Sequence, residues 1–308
     1  MTEPISAEDV IARIDDWKGK DVRFDELGGG ITNRNYLVSV AGDPGAAGVG
    51  RFVLRIPGEG TETFIDRTRE LHNHAAAAAA GVTPPLLHVI QPWDCTVVPF
   101  IPSETMHPES IAGHPDRLDK IVAAMRTYHE KAVFDNEIRL FDMIRDYLRM
   151  AGDVNAPHPE ELDSMLVQGR RIEPAMERDQ PAFTACHNDL LSENLLLAPD
   201  GKMWIIDWEY GGMTDPYFDL GDFCVEHPLS VDEEKRVLTG YCGGMDEHRY
   251  ARMQLYKLVA DLWWSIWAMI QASVSKLDFD FYEYGMNRMR RFQANAANAD
   301  YEAWLESV

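Results

Sequence analysis

The segment Cys186–Leu197, CHNDLLSENLLL, sets His187, Asn188, Asp189 and Asn194 among leucines. Polar side chains at the entrance to a buried strand are costly unless they are hydrogen-bonded or used. As plain structure, Asp189 and Asn194 are turn formers. Asp207 of IIDWEY, eighteen residues after Asp189, is then a strand-end cap. As chemistry, the amide of Asn194 and the carboxylate of Asp207 flank one hairpin and make an oxygen donor set suited to Mg2+, with Glu209 as a further or water-mediated ligand.

Outward from this stretch, NLLLAPDGKMWIID reads as a strand hairpin turning at Pro199–Gly201. It is an island in a helical region, with helices expected near 116–133, 140–151, 159–178, 231–241, 246–274 and 279–296. Before Pro99 the pattern differs. VRFDELGGG, NRNYLVSV and RFVLRIPG alternate as strands, a helix follows from about residue 62 to 80 and stops at Gly81, and two short strands lie near LLHVI and CTVVPF. The expected fold is therefore α+β: residues 1–99 form a small antiparallel-sheet lobe with one helix, and residues 100–308 a larger, mainly helical lobe. A cleft between two such lobes is a preferred place for a ligand.

With 45% hydrophobic and 26% charged residues over 308 positions, the chain has the make-up of an ordinary globular protein. No apolar run reaches membrane-spanning length, so no membrane insertion is expected. MTEPISAEDV lacks the form of a signal peptide, which points to the cytoplasm. Cys95, Cys186, Cys224 and Cys242 have no CxxC spacing and read as reduced thiols. The net charge of −22 argues against nucleic acid as a partner. It favours cationic small molecules, although solubility alone also selects such a surface. Phosphate-loop, zinc-protease and esterase motifs are missing.

H-N-D-L-L-S-E-N has the spacing of the kinase catalytic loop H-R-D-L-x-x-x-N, in which the Asp accepts the hydroxyl proton and the Asn holds Mg2+. Together with I-D-W-E-Y it resembles the choline/ethanolamine kinases of the aminoglycoside phosphotransferase superfamily, a protein-kinase-like two-lobed fold. The resemblance runs from Leu27 to about Phe292. It implies an ATP- and Mg2+-dependent kinase with Asp189 as catalytic base and Asn194, Asp207 and Glu209 at the metal. GGGITNRNYLV resembles the phosphate-covering loop, so the backbone of Gly30, Ile31, Thr32 and Asn33 is expected at the phosphates. Arg55 of FVLRIPG takes the place of the kinase strand lysine, and its forked donors suit phosphate oxygens. Glu70 is its expected partner, with Glu59 and Glu62 as competitors. Val98 and Phe100 are expected to offer backbone hydrogen bonds to adenine. His187 and Asp219 are implied supports of the loop.

LWWSIWAMIQASVSKLDFDFYEYG resembles the segment that supplies part of the choline kinase acceptor pocket. Trp264 and Trp267, three apart, share a helix face and would enclose a trimethylammonium group by cation–π contact. A stripe at helical spacing is equally what a core presents. Tyr284 and Glu226 match a further aromatic and the carboxylate that faces the cation, and Tyr210 borders the same site. After Glu226, HPLSVD lacks the aromatic that the resemblance implies. The expected activity is transfer of the ATP γ-phosphoryl group to a small cationic alcohol, choline above all. Ethanolamine, thiamine or an aminoglycoside are the alternatives, and an inactive nucleotide-binding regulator is the reading from another class. A homodimer is left open.

Overall fold

The structure is a computed structural model and describes residues 5–28, 33–42, 50–58 and 65–308. In chain order the first elements are α1 (Ala7–Ile11), β1 (Val22–Leu27), β2 (Asn33–Val40), β3 (Arg51–Pro57) and α2 (Arg67–Ala79). Then come β4 (His88–Ile90), β5 (Cys95–Pro99), β6 (Glu104–Thr105), α3 (Pro108–Ile111), α4 (Pro115–Lys131), α5 (Leu140–Asp153) and α6 (Glu160–Met176). Next are β7 (Thr184–Cys186), β8 (Leu195–Leu197), β9 (Met203–Ile205), β10 (Gly212–Thr214) and α7 (Pro216–Glu226). The chain ends with α8 (Val231–Cys242), α9 (Glu247–Val274), α10 (Phe281–Ala296) and α11 (Tyr301–Ser307). No helix among the described residues is long and apolar enough to cross a membrane.

The chain divides into two compact units, Met1–Met106 with Glu193–Tyr210, and His107–Ser192 with Gly211–Val308. The division differs from the 99/100 boundary read from the sequence. β6 pairs with β8, Glu104 opposite Leu197, and β8 with β9. That ladder ties residues up to Met106, and the hairpin expected in the helical lobe, into the first unit.

In the first unit an antiparallel sheet runs in the order β1-β2-β3-β5-β4. Alternation along β3 buries Phe52, Leu54 and Ile56 against Val38, Val97, Trp17 and Val10, and sends Arg55 to the opposite face. α2 begins where the Asp66 carboxylate accepts the amides of Thr68 and Arg69. It runs through the alanines, and Gly81 follows its end at φ +84°.

The second unit is built around α9, which is buried on every side for most of its 28 residues, as its lack of a polar face requires. α7 packs so closely on it that a Cβ on Gly221 would lie 2.7 Å from the Tyr256 Cβ and 2.9 Å from the Met253 carbonyl oxygen. Neither atom can swing away. Gly221→Ala is therefore expected to destabilise the second unit by about 2–3 kcal/mol, read as a lower denaturant midpoint. An unchanged midpoint would show that the two helices are free to part.

Candidate active site

In the first unit the hairpin β8–β9 pairs Leu195 with Ile205, and the Ile206 amide donates to the Asn194 carbonyl oxygen at 3.0 Å. Asn194 and Asp207 thus leave the same end of one hairpin. Asp207 sits at φ +71°, a left-handed conformation that Asp tolerates better than most residues.

Beside them lies a ring of charge. Arg55 donates to Glu70, and its Nη2 lies 2.7 Å from Glu209 Oε2 and 3.0 Å from Asp207 Oδ1. Arg67 closes the ring, with Nη1 2.6 Å from Glu70 Oε2 and 3.3 Å from Glu209 Oε2. Asn33 adds a 3.3 Å bond from Nδ2 to Glu209. Glu70, at the first turn of α2, is therefore the carboxylate that holds Arg55. Burial would lift the Glu70 carboxyl, but the two guanidiniums hold it below its ordinary range. Glu209 goes the other way, pushed to about 7 by burial and then by the Asp207 charge. Three carboxylates face two guanidiniums, leaving the cluster one positive charge short. The ligand atoms of Glu70, Asp207 and Glu209 lie within 4.8 Å of one another. Glu70 and Glu209 are enclosed by the guanidiniums, and Asp207, the most exposed of the three, is the carboxylate that suits a hard divalent cation.

The structure changes some expectations here. Gly30, Ile31, Thr32, Glu59 and Glu62 lie outside the described residues. Glu209, expected at the metal, has one oxygen shared among Arg55, Arg67 and Asn33. Phe100 does not offer its amide to a ligand, because that N–H donates to the Arg51 carbonyl oxygen at 3.0 Å. Val98 stands opposite Val53 in the same ladder, so its amide also faces β3. By the alternation of the strand, the Pro99 carbonyl points to the other side. Tyr210 is buried at the end of the first unit.

In the second unit β7 delivers the loop that carries Asp189, which is itself half-buried. Asp219 of α7 is fully buried and accepts the amides of His187 (2.9 Å) and Asn188 (2.7 Å). From α4 it receives the Tyr128 hydroxyl (2.5 Å) and His129 Nε2–H (2.9 Å). These donors outweigh burial and hold its carboxyl low. One turn on, Asp222 accepts the Leu190 amide at 2.8 Å, while the Asp189 amide donates to His187 Nδ1 at 3.3 Å. The backbone on both sides of Asp189 is thus fixed by two buried carboxylates three residues apart. Asp219 has the supporting role expected of it, as does His187.

α9 and α10 bring the expected acceptor aromatics together. Trp264 and Trp267 meet edge-on at 5.7 Å between centroids, and Trp267 meets Tyr284 at 6.2 Å. Trp263 stacks on Trp264 at 4.7 Å and belongs to the core. Trp267 Nε1 is buried with no hydrogen-bond partner. Glu226 differs from expectation. Its carboxylate accepts from Arg288 at 2.9 Å and Arg291 at 2.6 Å, which hold it low against burial. Arg288 also lies over the Tyr284 ring at 3.6 Å. Glu226 therefore enters any ligand contact already neutralised. Arg67, Asp222, Arg288 and Arg291 were not singled out in the sequence. Asp222 alone had a signal there, its i+3 spacing from Asp219.

The family model for choline/ethanolamine kinase matches residues 24–239. Protein LicA of Haemophilus influenzae is 26% identical over 276 residues, covering 85% of this chain and 76% of that protein. Ethanolamine kinase 2 of Mus musculus is 26% identical over 305 residues, covering 90% and 77%. The crystal structure of a choline/ethanolamine kinase family protein from Mesorhizobium loti superposes with a TM-score of 0.83 at 31% identity, covering 96% of each chain.

Proposed function

The chain belongs to the choline/ethanolamine kinase family and is an ATP-dependent kinase of a small alcohol, and we propose that this alcohol is choline, phosphorylated in the cytoplasm. The observation that carries the choice is the edge-on pair Trp264 and Trp267 with Tyr284 beside it. Aromatic faces suit a trimethylammonium head, which has no N–H to donate. A primary ammonium carries N–H donors and is better served by hydrogen-bond acceptors than by aromatic faces.

In this reading Asp189 accepts the proton of the choline hydroxyl as its oxygen attacks the γ-phosphorus of ATP. Asn194 and Asp207 would hold Mg2+, which when bound neutralises phosphate charge as the bond to the leaving oxygen loosens. Arg55, fixed by Glu70, presents its guanidinium to the phosphates. The Pro99 carbonyl, on the side of β5 away from β3, would face the adenine edge. Asp219 and Asp222 contribute by orienting the loop, since a loose transition state rewards alignment more than covalent assistance.

A coupled assay of ADP release with Mg2+ and choline, ethanolamine or thiamine tests the choice. Choline should give the highest kcat/KM, at least about tenfold above ethanolamine, a difference of about 1.4 kcal/mol that one good cation–π contact supplies. A preference for ethanolamine or thiamine would reverse the acceptor assignment. Turnover of none of them would favour a nucleotide-binding regulator.

A further inference from the structure

Among the acidic side chains around the acceptor aromatics, most have an evident counterpart. Glu226 is held by Arg288 and Arg291, Asp261 by Arg291, and Asp219 by His129 and Tyr128. Asp222 is the exception. It is fully buried on α7, and its two oxygens accept the Leu190 amide at 2.8 Å and Trp264 Nε1–H at 3.2 Å. Both donors are neutral. No lysine, arginine or histidine among the described residues pairs with it.

A buried carboxylate with no counter-ion is expensive in its charged form. Burial, then the charges of Glu226 and Asp219, push the Asp222 carboxyl well above the usual carboxylate range. Its neighbours nevertheless ask for an ion. Each oxygen faces an N–H, so an acceptor-only carboxylate satisfies both, whereas a carboxyl O–H or a carboxamide would set a donor against a donor. The charges that act on it are Glu226 and Asp219 of its own helix. Tyr284 of α10 lies within reach of Asp222, Asp189 and Glu226 together, and Arg288 and Arg291 of α10 reach this group through Glu226. The two arginines are already engaged by Glu226 and Asp261. What the arrangement lacks is one positive charge beside Trp264.

We propose that Asp222 is the specificity-determining carboxylate of the acceptor site. It supplies the negative charge that selects a cationic alcohol over a neutral one, and through Trp264 and Leu190 it links acceptor binding to the loop that carries Asp189. The assignment rests on the reading of this unit as the acceptor side of an amino-alcohol kinase. It moves the selecting charge from Glu226, the residue singled out in the sequence, to a carboxylate one helical turn away.

The test compares wild type and Asp222→Asn with choline as substrate and with 3,3-dimethyl-1-butanol, its uncharged isostere, as competitive inhibitor. The variant should lose about 10- to 100-fold in kcat/KM for choline, through KM and, because the carboxamide NH2 meets a neighbouring N–H, through kcat as well. The inhibition constant of the neutral alcohol should stay within about threefold. Equal losses for both ligands, or a loss for neither, would overturn the proposal, because a structural role does not discriminate charge. If Asp222→Asn fails to fold, calorimetry on the wild type decides. Choline binding near neutral pH, measured in buffers of different ionisation enthalpy, should release a proton as the cation stabilises the Asp222 carboxylate. Binding without proton release would overturn the assignment. A wild type that turns over neither choline nor ethanolamine would overturn the amino-alcohol reading and this assignment together, whereas turnover without charge discrimination overturns the role of Asp222 alone.

Discussion

Asp189→Ala lowers kcat by about 10²–10⁴-fold or more while leaving ATP affinity within about threefold, if Asp189 is the general base. The backbone anchors of the loop do not depend on the substituted side chain. The loop is fixed through backbone amides, those of His187 and Asn188 on Asp219, that of Leu190 on Asp222 and that of Asp189 on His187. None of these bonds uses the Asp189 carboxylate, so these backbone anchors survive its removal. The residues assigned to the phosphates, Arg55 with Glu70, belong to the other unit and are untouched. A single-turnover measurement beside an ATP-binding titration checks both halves. Turnover within tenfold of wild type would remove Asp189 from the chemistry. Weakened ATP binding with normal turnover would move its role to the nucleotide.

Strand and helix identity was largely legible because the hydrophobic period is unambiguous. Alternation in RFVLRIP gave β3 to within a residue, and the 3.6-residue pattern gave α4, α5, α8, α9 and α10 to within two or three. α7 was not delimited. PYFDLGDFCVE is buried along almost its whole length, so it shows no polar face for a period to reveal. The hairpin Leu195–Ile205 was visible as a hairpin, but its membership of the first unit depends on two residues of β6, too short a run to leave a pattern. The residues that a motif singles out are Asp189, Asn194, Asp207 and Arg55. Those that act by completing an electrostatic balance are not singled out in this way. Arg67 is one of two arginines in DRTRE, and only the fold shows that it shares both Glu70 and Glu209. Glu226 was assigned from its place in the motif, and the arginines that neutralise it lie 62 and 65 residues away. Long-range charge pairing has no sequence period, which is why the acceptor side changed most.

The same balance makes Arg55 the position where substitution should cost most. Its guanidinium touches Glu70, Glu209 and Asp207, of which Glu70 and Glu209 are almost fully enclosed. Burial would lower its pKa, yet the surrounding carboxylates, Asp207 foremost, raise it further, so it carries its charge at every accessible pH. Arg55→Met fills similar space but leaves three carboxylates with Arg67 alone. Removing one partner from a buried charge network costs about 3–5 kcal/mol, and the phosphate clamp is lost as well, so turnover should fall about 10²-fold or more. The pH dependence gives the mechanism away. In the wild type the Glu70 carboxyl is held low by Arg55 and Arg67, so its ion pairing stabilises the fold above the ordinary carboxylate range and fades as pH drops through its folded value. In Arg55→Met the stability deficit should therefore be greatest near pH 8 and shrink towards pH 4–5, where the stranded carboxylates take up protons. Arg55→Lys keeps a charge but not the two-pronged reach. It should recover most of the stability at pH 8 and little of the turnover. Denaturation midpoints at the two pH values, beside steady-state rates, separate the two roles. A deficit in Arg55→Met that does not vary with pH would mean that the methionine merely packs badly. Full turnover in Arg55→Lys would mean that charge alone, without the fork, serves the phosphates.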